Sequence, residues 1–197
     1  MFRQIIFRGF LMGLVTLPAL LLSSSTAHAQ NLVANPGFET GDFTSWTVIP
    51  AAVSSQVAVD SFIVHTGDFS ASFGADGFQD DTITQVIPTA PNRTYLLSFW
   101  LLNDAVGQDH FAASVNGTPV FDIGPTSSSF GFTEETFTFI ASNAPTLLSF
   151  SSFDRVRAFH LDDVSVINQN VAPEPGTLAL LGMVALPLVG MLCRRKA

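Results

Sequence analysis

The chain has 197 residues, of which 47% are hydrophobic and only 12% charged, a length that suits one domain with appendages. Residues 9–27 and 176–193 contain no charged residue, and five of the eight basic residues flank these two runs, so residues 30–170 hold three arginines (Arg93, Arg155, Arg157) against fifteen acids. That balance excludes nucleic-acid binding through a basic surface, and the single cysteine, Cys193, excludes an intramolecular disulfide.

The chain opens with Arg3 and Arg8, runs through an apolar stretch and closes on Ala27-His28-Ala29. This is the form of a secretory signal peptide, with small residues where signal peptidase must accept them. Cleavage after Ala29 would leave Gln30 at the mature N-terminus. Pro18 and the run Ser23-Ser24-Ser25-Thr26 shorten the apolar core below the ~20 residues that span a bilayer. The chain is therefore expected to be exported.

Between residues 30 and 170 helix signals are poor and strand signals recur at spacings near ten residues: 46–49, 53–59, 69–73, 82–87, 94–102, 111–115, 136–140, 147–153 and 159–167. Turn chemistry separates them, as at Thr66-Gly67-Asp68, Pro91-Asn92 and Ser142-Asn143-Ala144-Pro145. Asn116-Gly117 between two strand runs signals a hairpin with a type I′ turn, because both residues accept positive φ. Nine or ten short strands without interleaved helices indicate an all-β, two-sheet sandwich of jelly-roll type. Sixteen of the nineteen phenylalanines fall in this region and supply its core.

In the 94–102 run, a period of two sends Tyr95, Leu97, Phe99 and Leu101 to one face and Leu96, Ser98, Trp100 and Leu102 to the other. Trp100 beside Ser98 on an open face is a candidate sugar contact, since glycan sites combine aromatic rings with polar groups; Trp46 is expected in the core. Asp80-Asp81 and Asp104 with Asp109 fall on expected loops, where acids serve solubility or, alternatively, a second calcium. Nothing points to catalysis. The mature region has no lysine and no cysteine, no Gly-x-Ser-x-Gly elbow and no His-Glu-x-x-His helix, and His65, His110 and His160 are scattered.

After Pro173-Glu174-Pro175-Gly176 come seventeen apolar residues, 177–193, and then Arg194-Arg195-Lys196. At ~1.5 Å per residue this run reaches across a hydrocarbon core as a transmembrane helix, and its basic end stays cytoplasmic. Cys193, at the edge of a greasy segment, reads as a small hydrophobe.

The tripeptide Pro173-Glu174-Pro175, the short apolar helix and the basic terminus together resemble the PEP-CTERM sorting signal of Gram-negative bacteria. The resemblance covers residues 171–197 and implies recognition by an exosortase, a membrane transpeptidase that removes the helix and passes the protein to the cell surface or exopolysaccharide matrix. Within residues 30–170 four blocks occur in order: Asn35-Pro36-Gly37-Phe38-Glu39, His65-Thr66-Gly67-Asp68, Tyr95-Leu96-Leu97-Ser98-Phe99-Trp100 and Phe159-His160-Leu161-Asp162-Asp163-Val164. They resemble the galactose-binding-like jelly rolls of carbohydrate-binding modules. That resemblance implies a structural Ca2+ held by Glu39, Asp162 and backbone carbonyls near Gly67 and Asp68, an oxygen-only set that suits calcium. Alternation along the strand turns Asp163 to the opposite side from Asp162. The resulting expectation is an exported, non-catalytic surface or matrix protein with a structural or adhesive role in exopolysaccharide. Two alternatives stand beside it: a lectin with a defined sugar site, and a surface protein permanently anchored in the membrane.

Overall fold

The computed structural model describes residues 30–51, 55–74, 79–104, 107–124, 128–142, 145–154 and 158–170. The expected signal peptide and its cut after Ala29, the Pro173-Glu174-Pro175 motif and the helix 177–193 lie outside the described residues. Among those described there is no helix, and so none long and apolar enough to cross a membrane.

Ten strands form: β1 (Thr47–Ile49), β2 (Ala58–Asp60), β3 (Ser70–Phe73), β4 (Asp81–Ile87), β5 (Thr94–Asn103), β6 (Asp109–Val115), β7 (Thr118–Ile123), β8 (Phe130–Ile140), β9 (Thr146–Asp154) and β10 (Phe159–Asn168). They make two five-stranded antiparallel sheets, in the orders β1-β4-β9-β6-β7 (the first sheet) and β2-β3-β10-β5-β8 (the second). Residues 28–172 form one compact unit.

The alternation expected from sequence decides which side chains enter the core. In β5, Tyr95, Leu97, Phe99 and Leu101 are buried while Leu96, Ser98, Trp100 and Leu102 are half-buried on the outer side. Phe99 is a hub, with the rings of Phe111, Phe121, Phe137 and Phe150 packed 5.2–6.1 Å from its own. Rings at these separations gain about 0.5–1.5 kcal/mol per pair beyond their burial. Trp46 is in the core as expected, stacked on Phe38 at 5.6 Å, with its Nε1 donating to the Asn35 carbonyl at 3.1 Å.

The Asn116-Gly117 hairpin joins β6 to β7 with φ of 51° and 75° at its two turn residues, the positive pair that a type I′ turn requires. The expected run 53–59 is shorter as a strand, with only Ala58–Asp60 pairing to β3. Asp81 is not a solvated loop acid. It opens β4 fully buried, and its carboxylate accepts the backbone N–H groups of Ala51 (2.7 Å) and Gln56 (3.2 Å). Asp109 likewise opens β6 in the interior, accepting from Asn103 Nδ2 at 2.8 Å. Each carboxylate is fixed by the N–H donors that it satisfies.

Candidate functional site: the outer face of the second sheet

Opposed residues of antiparallel strands share a face, so the pairing registers map the outer side of the second sheet. Trp100 lies between Asp162 of β10 and Glu134 of β8; Ser98 lies between Ser165 and Thr136; Leu96 lies between Ile167 and Thr138. Trp100 and Ser98 are thus on one outward face, as the sequence led us to expect. Glu134, Thr136 and Thr138 are exposed beside them.

Sequence reasoning did not foresee the partner of Trp100. The loop joining β2 to β3 folds over the β10 side of this face and lays the His65 ring on the indole, with centroids 3.7 Å apart and planes 14° from parallel. Phe132 closes the group, 5.3 Å from His65. His65 is held in turn by Asp163, whose Oδ2 stands 2.7 Å from Nδ1, and Thr66 Oγ1 donates to the same carboxylate at 2.8 Å. One flank of Trp100 is therefore a wall of loop that reaches Phe132 on β8.

The same loop is fastened from below. Asp162 is fully buried and accepts three backbone N–H groups: His65 at 2.9 Å, Thr66 at 3.2 Å and Asp163 at 2.7 Å. Burial pushes its carboxyl above the ordinary carboxylate range, and these N–H donors pull the other way. Glu39, from the N-terminal loop, accepts from the backbone of Asp68 (3.1 Å) and Phe69 (3.3 Å). Glu39 thus meets the N–H side of this backbone.

Two glycines make this closeness feasible. A Cβ on Gly67, whose φ is 69°, would fall inside the Glu39 carboxylate, and a Cβ on Gly37 would stand 3.2 Å from Asp162 Oδ1, 3.5 Å from Asp163 Oδ1 and 3.6 Å from Glu39 Cγ. Glu39, Asp162 and Asp163 therefore converge around one glycine-lined spot. The expectation that Asp163 points away from Asp162 is overturned. A register shift between Asp162 and Ser165, with Asp163 at a φ of 47°, breaks the alternation and turns both carboxylates toward the loop.

Among the described residues, no three or more His, Cys, Asp or Glu side chains form a ready-made metal cluster. Carboxylate oxygens are nonetheless the donors a hard cation takes, with backbone oxygens or water completing the shell.

The remaining histidines are elsewhere. His110 stands on the outer side of the first sheet between Asp80 (Nδ1, 2.9 Å) and Asp122 (Nε2, 3.5 Å). His160 is buried in β10 with its Nδ1 3.7 Å from Asp60 Oδ2 and no hydrogen bond.

No protein-family model and no curated protein matches this sequence. Solved structures match its fold. A family 61 carbohydrate-binding module in complex with β-1,4-galactotriose aligns with a TM-score of 0.53 at 20% identity, over 72% of this chain and 100% of that one. The CBM22-1 xylan-binding domain of Paenibacillus barcinonensis Xyn10C aligns with a TM-score of 0.53 at 15% identity, over 75% and 100%. The enzymatically active domain of bacteriophage CBA120 tailspike protein 4 aligns at 0.55 and 16% identity, over 70% of this chain but only 21% of the tailspike. At such identities the likeness establishes the architecture: the described residues are an all-β sandwich of two antiparallel sheets resembling the jelly rolls of carbohydrate-binding modules.

Proposed function

We propose that the chain is an exported carbohydrate-binding protein of the bacterial surface or extracellular matrix, and that it holds glycan without cleaving it on the outer face of the second sheet. The observation that carries this reading is Trp100, half-buried on an outward sheet face, pinned by the His65 ring and flanked by hydroxyls and the exposed carboxylate of Glu134. A preset indole with polar neighbours can stack on a sugar ring while the hydroxyls meet its rim, and little entropy is lost in ordering the site. The similar modules named for galactotriose and xylan support the same class of ligand, and favour the lectin alternative over a purely structural role.

Ca2+ at Glu39, Asp162 and Asp163, beside Gly67 and Asp68, would supply the positive charge that this convergence of carboxylates lacks, and so hold the loop that carries His65. The termini give the address: export through the signal peptide, a temporary transmembrane helix, and release by an exosortase at Pro173-Glu174-Pro175. The intact tripeptide argues against permanent anchoring.

A glycan array probed with calcium-loaded residues 30–170 tests the binding reading. Selective signal that disappears in Trp100→Ala supports it; silence of a well-folded sample, or signal indifferent to Trp100→Ala, removes it. For the address, Glu174→Ala should leave full-length protein in the membrane fraction, and normal release of that variant would rule out exosortase sorting.

A further inference from the structure

We infer that the end of the sandwich from which residue 170 departs is a lipid-facing surface, which rests on the bilayer before sorting and holds the acidic remainder of the domain away from it. This rests on the transmembrane helix of the reading above and adds a contact that the helix does not itself supply.

The pairing registers gather one end of both sheets: Ile87 opposes Thr146, Val115 opposes Leu148, Thr94 opposes Ile140 and Tyr95 opposes Asn168. The connections 88–93, 116–117 and 141–145 therefore share that end with residues 169–170. The departing chain is tied there, because Gln169 N–H donates to the Thr94 carbonyl at 2.9 Å and Thr94 N–H donates to Asn170 Oδ1 at 2.7 Å. None of these four segments contains Asp or Glu, and their one charged residue is the exposed Arg93. The opposite end is rich in acids. Asp81 and Asp109 open β4 and β6, Asp154 closes β9, and Asp80 and Asp104 adjoin β4 and β5. The acids on strands that come nearest the acid-free end, Asp122, Glu135 and Asp163, lie at least four residues inside β7, β8 and β10.

Apolar side chains rim the same end. Val86 and Leu147 oppose each other on the outer side of the first sheet, 61% and 41% exposed, and Ile140 ends β8 on the outer side of the second, 67% exposed. Pro88, Pro91 and Pro145 are exposed on the two connections that cross between the sheets.

The chain beyond Asn170 identifies the partner. Six residues, 171–176, precede the apolar run 177–193, and at ~3.3–3.6 Å each they reach about 20 Å. While that run spans a bilayer, the acid-free end is held near the lipid, and a contact too weak for a free domain becomes intramolecular. Anionic headgroups repel a region with fifteen acids and three arginines, so the favoured orientation brings the acid-free end down and lets Arg93 meet phosphate. Aliphatic side chains at its rim then enter the interface. This orientation presents Pro173-Glu174-Pro175 at headgroup level and points the acidic end away from the membrane.

The test uses residues 30–197 carrying Cys193→Ser, which removes the sole cysteine, and one new cysteine for a fluorophore. Ser142→Cys marks the acid-free end and Gln79→Cys the opposite one, both at exposed positions. In vesicles of phosphatidylethanolamine and phosphatidylglycerol, a nitroxide on the lipid headgroup should quench the Ser142→Cys label several-fold more than the Gln79→Cys label. Adding Val86→Asp and Ile140→Asp, both at well-exposed positions, should bring the two labels level while the protein still floats with the vesicles. Equal quenching before those changes, or a difference that survives them, would overturn the inference and leave the membrane helix standing. Cross-linking of Ser142→Cys between copies without lipid quenching would also overturn it, by making this end a self-association surface. If the protein does not float with the vesicles, the membrane-helix reading fails and the inference falls with it.

Discussion

The two outer faces of the sandwich share one backbone geometry and differ in what they carry. On the first sheet the outward registers run Thr47-Thr84-Ser149-Ser114 and Ile49-Thr82-Ser151-Ala112, mostly small side chains, with Ile49, Val86 and Leu147 exposed among them and His110 set between Asp80 and Asp122. The second sheet carries an indole, a stacked imidazole and a loop fastened to the buried Asp162 and the exposed Glu39. Small hydroxyl side chains on a pleated surface satisfy solvent and ask for nothing more. A half-buried tryptophan held flat against a histidine, by contrast, is a preset aromatic surface of the kind a ligand site uses. The difference also locates conformational risk, because the second face depends on a loop whose fastening is electrostatic and the first depends only on its strands.

The sharpest way to break that comparison is to remove the proposed cation. At a hundredfold excess over its Kd, a bound ion contributes about 2.7 kcal/mol to folding, on the order of 10 °C in Tm for a domain of this size. Chelation should therefore lower the melting temperature of residues 30–170 by about that much, and Glu39→Ala should abolish the calcium dependence. Hydrogen exchange should quicken in residues 61–69, over the second face, while β4, β6 and β9 beneath the first keep their protection. An unchanged melt would take calcium out of this account; uniform loosening of both faces would show that the loop is not a separate unit.

The contrast between the faces was only partly legible in the sequence, for a physical reason. Period-two alternation is local, and it placed Ser98 and Trp100 outward and Phe99 in the core without reference to any other strand. What covers Trp100 is non-local. His65 lies 35 positions earlier in a loop, and the His65-Thr66-Gly67-Asp68 block pointed to calcium ligation rather than to ring stacking. Alternation failed outright at Asp163, where a bulge and a positive φ reverse a side chain without any sign in the residue types. β7 was missed as a strand of stated bounds because Pro119 interrupts its pattern, and proline is admitted there because β7 is an edge. The burial of Asp81 and Asp109 was hidden for a related reason: an acid at a strand start looks like a loop acid until the N–H groups it serves are known.

A smaller effect sharpens the same comparison. Gly67→Ala puts a Cβ into the Glu39 carboxylate at a φ of 69°, so the loop must shift or Glu39 must leave. The strain should cost about 2 kcal/mol and weaken glycan binding through displacement of His65. Gly117→Ala serves as the control: its φ is 75° but its Cβ would meet nothing within 4 Å, so it should bear the backbone penalty alone and leave binding unchanged. Equal losses of binding in the two variants would disconnect the loop from the site.

The smallest effect comes from His160, which lies under the second face with no hydrogen bond at Nδ1. Burial holds its pKa below the ordinary 6.5, partly opposed by the carboxylates of Asp60 and Asp104. The unfolded chain takes up this proton near pH 6.5 and the folded chain only at lower pH. The contribution to stability is therefore complete above 6.5, declines as pH falls through 6.5, and levels off below the folded pKa. His160→Gln removes the titration, so the fall in Tm across that window should be shallower in the variant than in the natural protein. A slope unchanged in His160→Gln would remove His160 as the acid-sensitive group beneath the second face and with it the extra conformational risk assigned there.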